Sequence, residues 1–124
     1  MVKFLSLHHV QLAMPTGAED VARAFFTGVL GIPEVPKPAV LAGRGGAWFE
    51  EGDVRIHVGV EEDFHPARKA HPALVVDDLE QAIAQCRAAG VTVRAGEDLA
   101  GFVRAHIEDP FGNRLELMQA VKAD

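Results

Sequence analysis

The feature that most constrains this chain is that its pattern of apolar residues runs through once and then starts again. His9-Val10-Gln11-Leu12-Ala13-Met14 and His71-Pro72-Ala73-Leu74-Val75-Val76 both open on histidine and carry an aliphatic residue three places later. A stretch of helical spacing follows each. The first runs from Asp20 to Leu30 with Val21, Phe25 and Val29 on one stripe; the second opens at Asp77-Asp78 and carries Leu79, Ile83 and Cys86. Glycine closes both helices, Gly31 lying 22 residues after His9 and Gly90 19 residues after His71. The repeated unit is a strand, a helix and further strands, roughly 55–60 residues long. A unit that small buries too little apolar surface to stand alone, so the two halves are expected to share one core.

The later strands of each half follow from alternation and turn chemistry. In the first half, strands at Trp48 to Glu50 and Val54 to Val60 flank the hairpin signal Glu51-Gly52-Asp53. Residues 33–45 are rich in proline and glycine and read as an irregular crossing with one short strand near Val40. The polar segment Glu61 to Ala70 serves as a connector. In the second half, strands are expected at Val91 to Arg94, Phe102 to Ile107 and Arg114 to Met118. The last two are joined by Asp109-Pro110-Phe111-Gly112-Asn113, where Pro110 presets a turn and Gly112 and Asn113 tolerate positive φ. The chain therefore reads as one α+β domain, 1–124, built of an N-terminal unit of about 1–62 and a C-terminal unit of about 69–124.

Charge and cysteine usage narrow the function classes. A net charge of −6 argues against nucleic acid and against an anionic membrane surface as partners. No apolar run approaches the ~20 residues of a membrane span, and the N-terminal apolar segment is too short for a signal peptide. The single cysteine excludes an internal disulfide and suits the cytoplasm.

Period two also sorts side chains by sheet face. Val10, Leu12 and Met14 share one face of the first strand, and Val54, Ile56, Val58 and Val60 one face of another; His9, Gln11, Arg55 and His57 point the opposite way. Leu115 and Leu117 likewise leave Glu116 on the far side. A sheet covered by helices on its aliphatic face can curve the other face into a cup. The non-aliphatic faces then offer His9, His57, His71 and Glu116, three imidazoles and a carboxylate that match the needs of a mid-row divalent ion. A lone strand histidine is more often a surface or hydrogen-bonded residue than a ligand. Equivalent placement in a repeated unit raises the weight of these four, whereas His8 and His65 keep the ordinary reading and Cys86 that of inert core. Alternation puts Gln11, Trp48, Arg55, Arg104, His106 and Met118 on the same face as a substrate-binding wall, with Val10, Ile56, Leu74 and Leu117 packing against helices.

The motifs His9-Val10-Gln11-Leu12, Phe25-Phe26 with Leu30-Gly31, His71 to Leu79, and Asp109 to Glu116 resemble the vicinal oxygen chelate superfamily. Its members include glyoxalase I, fosfomycin-resistance enzymes, extradiol dioxygenases, methylmalonyl-CoA epimerase and bleomycin-resistance proteins. The resemblance implies two βαβββ modules forming a cup-shaped mixed sheet with helices on its outer face, commonly completed in a homodimer. It implies a metal site at the positions of His9, His71 and Glu116, with His57 at a fourth place where glyoxalase I typically carries Glu and the epimerase Gln. Zn²⁺, Ni²⁺, Mn²⁺ and Fe²⁺ all suit such donors. The chemistry implied is chelation of two neighbouring oxygens of a small-molecule substrate, stabilising an enolate or alkoxide, with Glu116 or His57 moving a proton. The reading from a different class is a metal-free protein of the bleomycin-resistance type that sequesters a ligand in the cup.

Overall fold

A computed structural model describes residues 1–121 of the chain; the last three positions of the expected C-terminal unit lie outside the described residues. The elements run β1 (Val10–Met14), α1 (Glu19–Phe26), β2 (Glu34–Val35), a 3-10 helix (Ala39–Arg44), β3 (Ala47–Glu51), β4 (Val54–Val60), β5 (Ala73–Val75), α2 (Leu79–Ala88), β6 (Val93–Ala95), β7 (Phe102–Glu108) and β8 (Arg114–Ala120). They form two four-stranded mixed sheets of matching topology, β1-β4-β3-β2 and β5-β8-β7-β6. In each the first strand runs parallel to the last, and the remaining pairs are antiparallel. The repeat read from the sequence is thus a repeat of structure, and the fold is α+β as expected.

Alternation decides what is buried. Ile56, Val58 and Phe49 from the first sheet, Ala105, Ile107, Leu115 and Leu117 from the second, and Phe25, Phe26, Leu79 and Cys86 from the helices form one core. Phe26 stacks on Phe49 with ring centroids 5.1 Å apart and meets Phe25 edge-on at 4.9 Å. Each fully buried side chain of this size contributes about 1.5–3 kcal/mol, so α1 is held by its aromatic pair. Helix α2 gains a cap as well: the Asp78 carboxylate accepts from the Gln81 backbone N–H at 3.0 Å.

Four local readings change. The buried stripe of α1 is Ala22, Phe25 and Phe26, whereas Val21 is 48% exposed beside an open cavity shared with Val91 and Asp109; turning both aromatic rings inward rotates Val21 out. The strand expected near Val40 is the 3-10 helix, because Pro36 and Pro38 remove ladder donors and Gly45 and Gly46 take positive φ of 75° and 83°. The edge position is filled instead by β2. Strand β1 begins at Val10, so His9 sits just before its first paired residue, and β5 begins at Ala73 rather than His71. Pro72 cannot donate to a ladder, but its carbonyl accepts from the Glu116 N–H at 2.9 Å and holds His71 beside β8.

The two halves are joined by a buried asparagine. In the turn between β7 and β8, Asn113 is 1% exposed. Its amide nitrogen donates to the Ala13 carbonyl on β1 and to Asp109 Oδ2, and its amide oxygen accepts from the Ala67 N–H in the connector. Asp109 Oδ1 accepts in turn from the N–H groups of Phe111 and Asn113. Asn113→Ala orphans a carbonyl, an N–H and part of a carboxylate, each costing about 1–3 kcal/mol when left buried. A loss of roughly 3 kcal/mol is expected, read as a lowered urea midpoint with unchanged slope.

Candidate functional site

The second sheet gathers the densest polar cluster. Cross-strand register aligns Arg94, His106, Glu116 and Ala73 in one row across β6, β7, β8 and β5. Leu115 and Leu117 bury in the core on either side of Glu116, so its carboxylate points to the other face. There Glu116 Oε1 lies 3.0 Å from His71 Nε2, 3.2 Å from Arg104 Nη1 and 3.3 Å from His106 Nε2. One donor atom each from His71, His106 and Glu116 fall within 4.8 Å of one another, a set able to hold a metal ion.

The outer partners orient these groups. His71 Nδ1 lies 2.7 Å from the Lys69 carbonyl, which fixes the proton on that nitrogen and turns Nε2 toward Glu116. Metal-binding histidines are held in this way, with the far nitrogen on a backbone carbonyl. Donors each about 2.1 Å from one ion are about 3.0–3.4 Å apart in octahedral or tetrahedral arrangements, and the His71–Glu116 and His106–Glu116 separations of 3.0 and 3.3 Å fall in that range. Burial would push the Glu116 carboxyl up, but the hydrogen bonds from His71, Arg104 and His106, with the charge of Arg104, outweigh it and hold the group below its ordinary value.

The first sheet carries a second, aromatic cluster. Gln11, His57 and Trp48 form a row across β1, β4 and β3. His57 is 3% exposed, stacked on Trp48 at 3.9 Å and on His9 at 4.4 Å, and its Nε2 lies 2.7 Å from Glu50 Oε2. Glu50 takes the proton-bearing edge of the ring and leaves Nδ1 as its other polar atom. His9 Nδ1 meets His8 Nδ1 at 3.0 Å, and Arg55 donates to the His8 carbonyl at 3.2 Å.

Register relates the two clusters. Gln11 opposes His57 as Ala73 opposes Glu116, so His57 and Glu116 hold equivalent rows, and His9 and His71 lie two residues before Gln11 and Ala73, just ahead of β1 and β5. The structure brings His71, His106 and Glu116 together with Arg104, and His9 and His57 together with Gln11 and Trp48. It does not bring His9 or His57 into the three-donor set. Met118 opposes Arg104 beside that set. Sequence reasoning had placed His106 in the substrate wall, and it had missed Glu50 altogether. Alternation could have found Glu50, two residues from Trp48 on the same face.

Comparison with known proteins fixes the family. The model described as the Glyoxalase/Bleomycin resistance protein/Dioxygenase superfamily matches residues 6–117. The chain belongs to this superfamily. A solved structure of a Bacillus anthracis protein assigned to the glyoxalase family is 39% identical, covering 98% of this chain and 99% of that one, with a TM-score of 0.92. At the level of fold the superfamily chain also matches a fosfomycin resistance protein of Listeria monocytogenes (15% identity, 98% and 96% coverage, TM-score 0.72). An antibiotic binding protein of Streptomyces matches equally well in shape (19%, 96% and 100%, TM-score 0.72). No curated protein matches the chain. Among the described residues no helix is long and apolar enough to cross a membrane.

The low-lying Glu116 has a readable consequence. A carboxyl whose folded value lies below its ordinary 4.5 stabilises the native state above that pH, and the contribution is lost as pH falls through the folded value. The destabilisation caused by Glu116→Gln should therefore be fully developed by about pH 5 and shrink toward pH 3, measured by urea unfolding of both proteins across that range.

Proposed function

We propose that this protein is a metal-dependent small-molecule enzyme, glyoxalase-like in the broad sense: an isomerase, lyase or transferase acting on a substrate with two neighbouring oxygens. The observation that carries this reading is that donor atoms of His106 on β7, Glu116 on β8 and His71, just ahead of β5, lie within 4.8 Å of one another. His71, Glu116 and His106 would hold the ion. Once bound, a divalent cation supplies Lewis-acid stabilisation of the charge that develops on the substrate oxygens.

The chain's own residues divide the remaining work. Glu116, held below its ordinary value by three donors, is a good ligand and a poor base. His57 suits proton transfer better, because Glu50 fixes its tautomer and Trp48 and His9 fix its plane. Zn²⁺, Ni²⁺, Mn²⁺ and Fe²⁺ remain the ions of choice for this donor set. The free thiol of Cys86 is buried, which fits a reducing cytoplasm.

The second reading, a metal-free ligand-sequestering protein, draws on one specific contact. Arg104 Nη1 lies on the same Glu116 oxygen as the histidines and can neutralise it without a metal. Calorimetric titration of chelator-treated protein with each ion separates the two. The enzyme reading expects about one ion per site, with His71→Ala and Glu116→Ala each weakening binding by more than the roughly 10–100-fold that loss of an outer partner costs. Wild type binding no ion more tightly than these variants would leave the sequestering reading.

We further propose a homodimer. β1 and β5 are edge strands of their sheets and line the same two cavities, and Leu7 ahead of β1 and Val75 on β5 are 76% and 62% exposed. Phe4 and Leu5, on the segment that leads into β1, are 94% and 87% exposed. Pairing with a second copy would cover these side chains and supply His9 to the site. Sedimentation equilibrium at tens of micromolar protein should give twice the chain mass, and a monomer there would refute the assembly.

A further inference from the structure

The first sheet has a second polar hollow that the histidine chemistry does not use. It is a cavity of about 240 Å³ whose lining includes Gln11, Lys37, Leu41, Arg44, Trp48 and Gly59. Two cations line it and no carboxylate does, in a chain whose net charge is −6. The basic character is therefore local. We propose that this cavity is an oxyanion subsite, taking the carboxylate or phosphate-like end of the small molecule whose other end reaches the histidines.

Its construction is specific. The 3-10 helix that carries Leu41 and Arg44 is set against β4 through Gly46, whose φ is 83° and where a Cβ would lie 2.2 Å from the Val58 carbonyl oxygen. Glycine is required there, because the obstacle is backbone. Lys37 donates to the Gly45 carbonyl, which ties the ammonium to the rim and leaves two of its three protons for a ligand. Arg44 is exposed and makes no ion pair or hydrogen bond among the described residues, so its guanidinium fork is free to accept a planar oxyanion. At Gly59 a Cβ would come within 2.5 Å of Gln11 Nε2. Its absence leaves room for the Gln11 amide nitrogen against β4, where both residues line the cavity.

Position gives the site its meaning. Gly59 lies two residues beyond His57 on β4, about 7 Å along the strand, and Trp48 belongs both to the cavity and to the stack on His57. An anionic group held by Lys37 and Arg44 would lay the rest of a small molecule over the Trp48–His57–His9 face. The volume suits one such group rather than a whole drug-sized ligand. The placement relative to the histidines rests on the small-molecule reading above, but anion binding here needs no metal.

Trp48 is the single tryptophan of the chain and so reports on the site by its own fluorescence. Chelator-treated protein is titrated with inorganic phosphate and, separately, with acetate, at constant ionic strength set by chloride. Saturable change with either oxyanion is expected; phosphate alone assigns a phosphoryl-type group, acetate alone a carboxylate, and both a general oxyanion site. Arg44→Gln should weaken the binding at least fivefold, and Lys37→Gln should act in the same direction. Arg87→Gln, an equal charge loss on the exposed face of α2, should change it less than twofold. No saturation with either anion, or equal weakening by Arg44→Gln and Arg87→Gln, overturns the subsite. Because metal binding is measured separately, loss of one result with survival of the other shows which proposal has failed.

Discussion

The buried amide of Asn113 is the contact on which the arrangement of the two halves depends. The sheets are not hydrogen-bonded to each other, so no ladder sets the position of one against the other. Asn113 supplies that missing tie with bonds to β1, to the connector and to the turn that aims β8. Its partner Asp109 is itself buried, and burial raises its carboxyl despite the bonds from Asn113, Phe111 and Gly112. A polar network closed this completely is costly to disturb at any member. The apolar core then needs only to fill the space the network defines.

From that turn the functional geometry follows in a few steps. Residues 114 to 120 leave it as β8, with Leu115 and Leu117 inward and Glu116 outward. Glu116 becomes the acceptor on which His71, Arg104 and His106 converge, although only His106 and Arg104 come from the neighbouring strand. His71 arrives from the irregular lead into β5, held by the Pro72 carbonyl on one side and Lys69 on the other. Proline, which weakens a strand, here ends the pairing at the place where a histidine must leave the ladder to reach across. The first sheet repeats the plan with different chemistry. In the row equivalent to Glu116 it places His57, and around it aromatic rings instead of cations.

The two sheets carry different side-chain chemistry on their non-aliphatic faces. One sheet concentrates lone pairs and a carboxylate, suited to a cation. The other presents a stacked aromatic face with a carboxylate-bound imidazole and, two residues further, a basic hollow. A ligand bearing neighbouring oxygens and an anionic end would use both. The same fold carries an antibiotic binding protein and a fosfomycin resistance protein, so shape alone does not select between holding a ligand and transforming it.

By itself the sequence determined the repeat of strand, helix and further strands, the hairpin at Gly52, the turn at Pro110 and the alternation of faces along each strand. These depend on local chemistry, proline and glycine dihedrals and the period of two, which any fold of the chain must respect. It also pointed to His71 and Glu116 as partners. The tertiary structure decided which of the face-sharing donors meet. Alternation tells that His9, His57, His71, His106 and Glu116 point away from the aliphatic rows, but carries no information on the distance between two sheets that share no hydrogen bonds. Cross-strand register put His106 opposite Glu116, and it put Glu50 diagonal to His57 on the same face, within reach of its ring. The hollow at Lys37 and Arg44 was hidden for the same reason, because a proline- and glycine-rich crossing has no period from which its path over a sheet can be read.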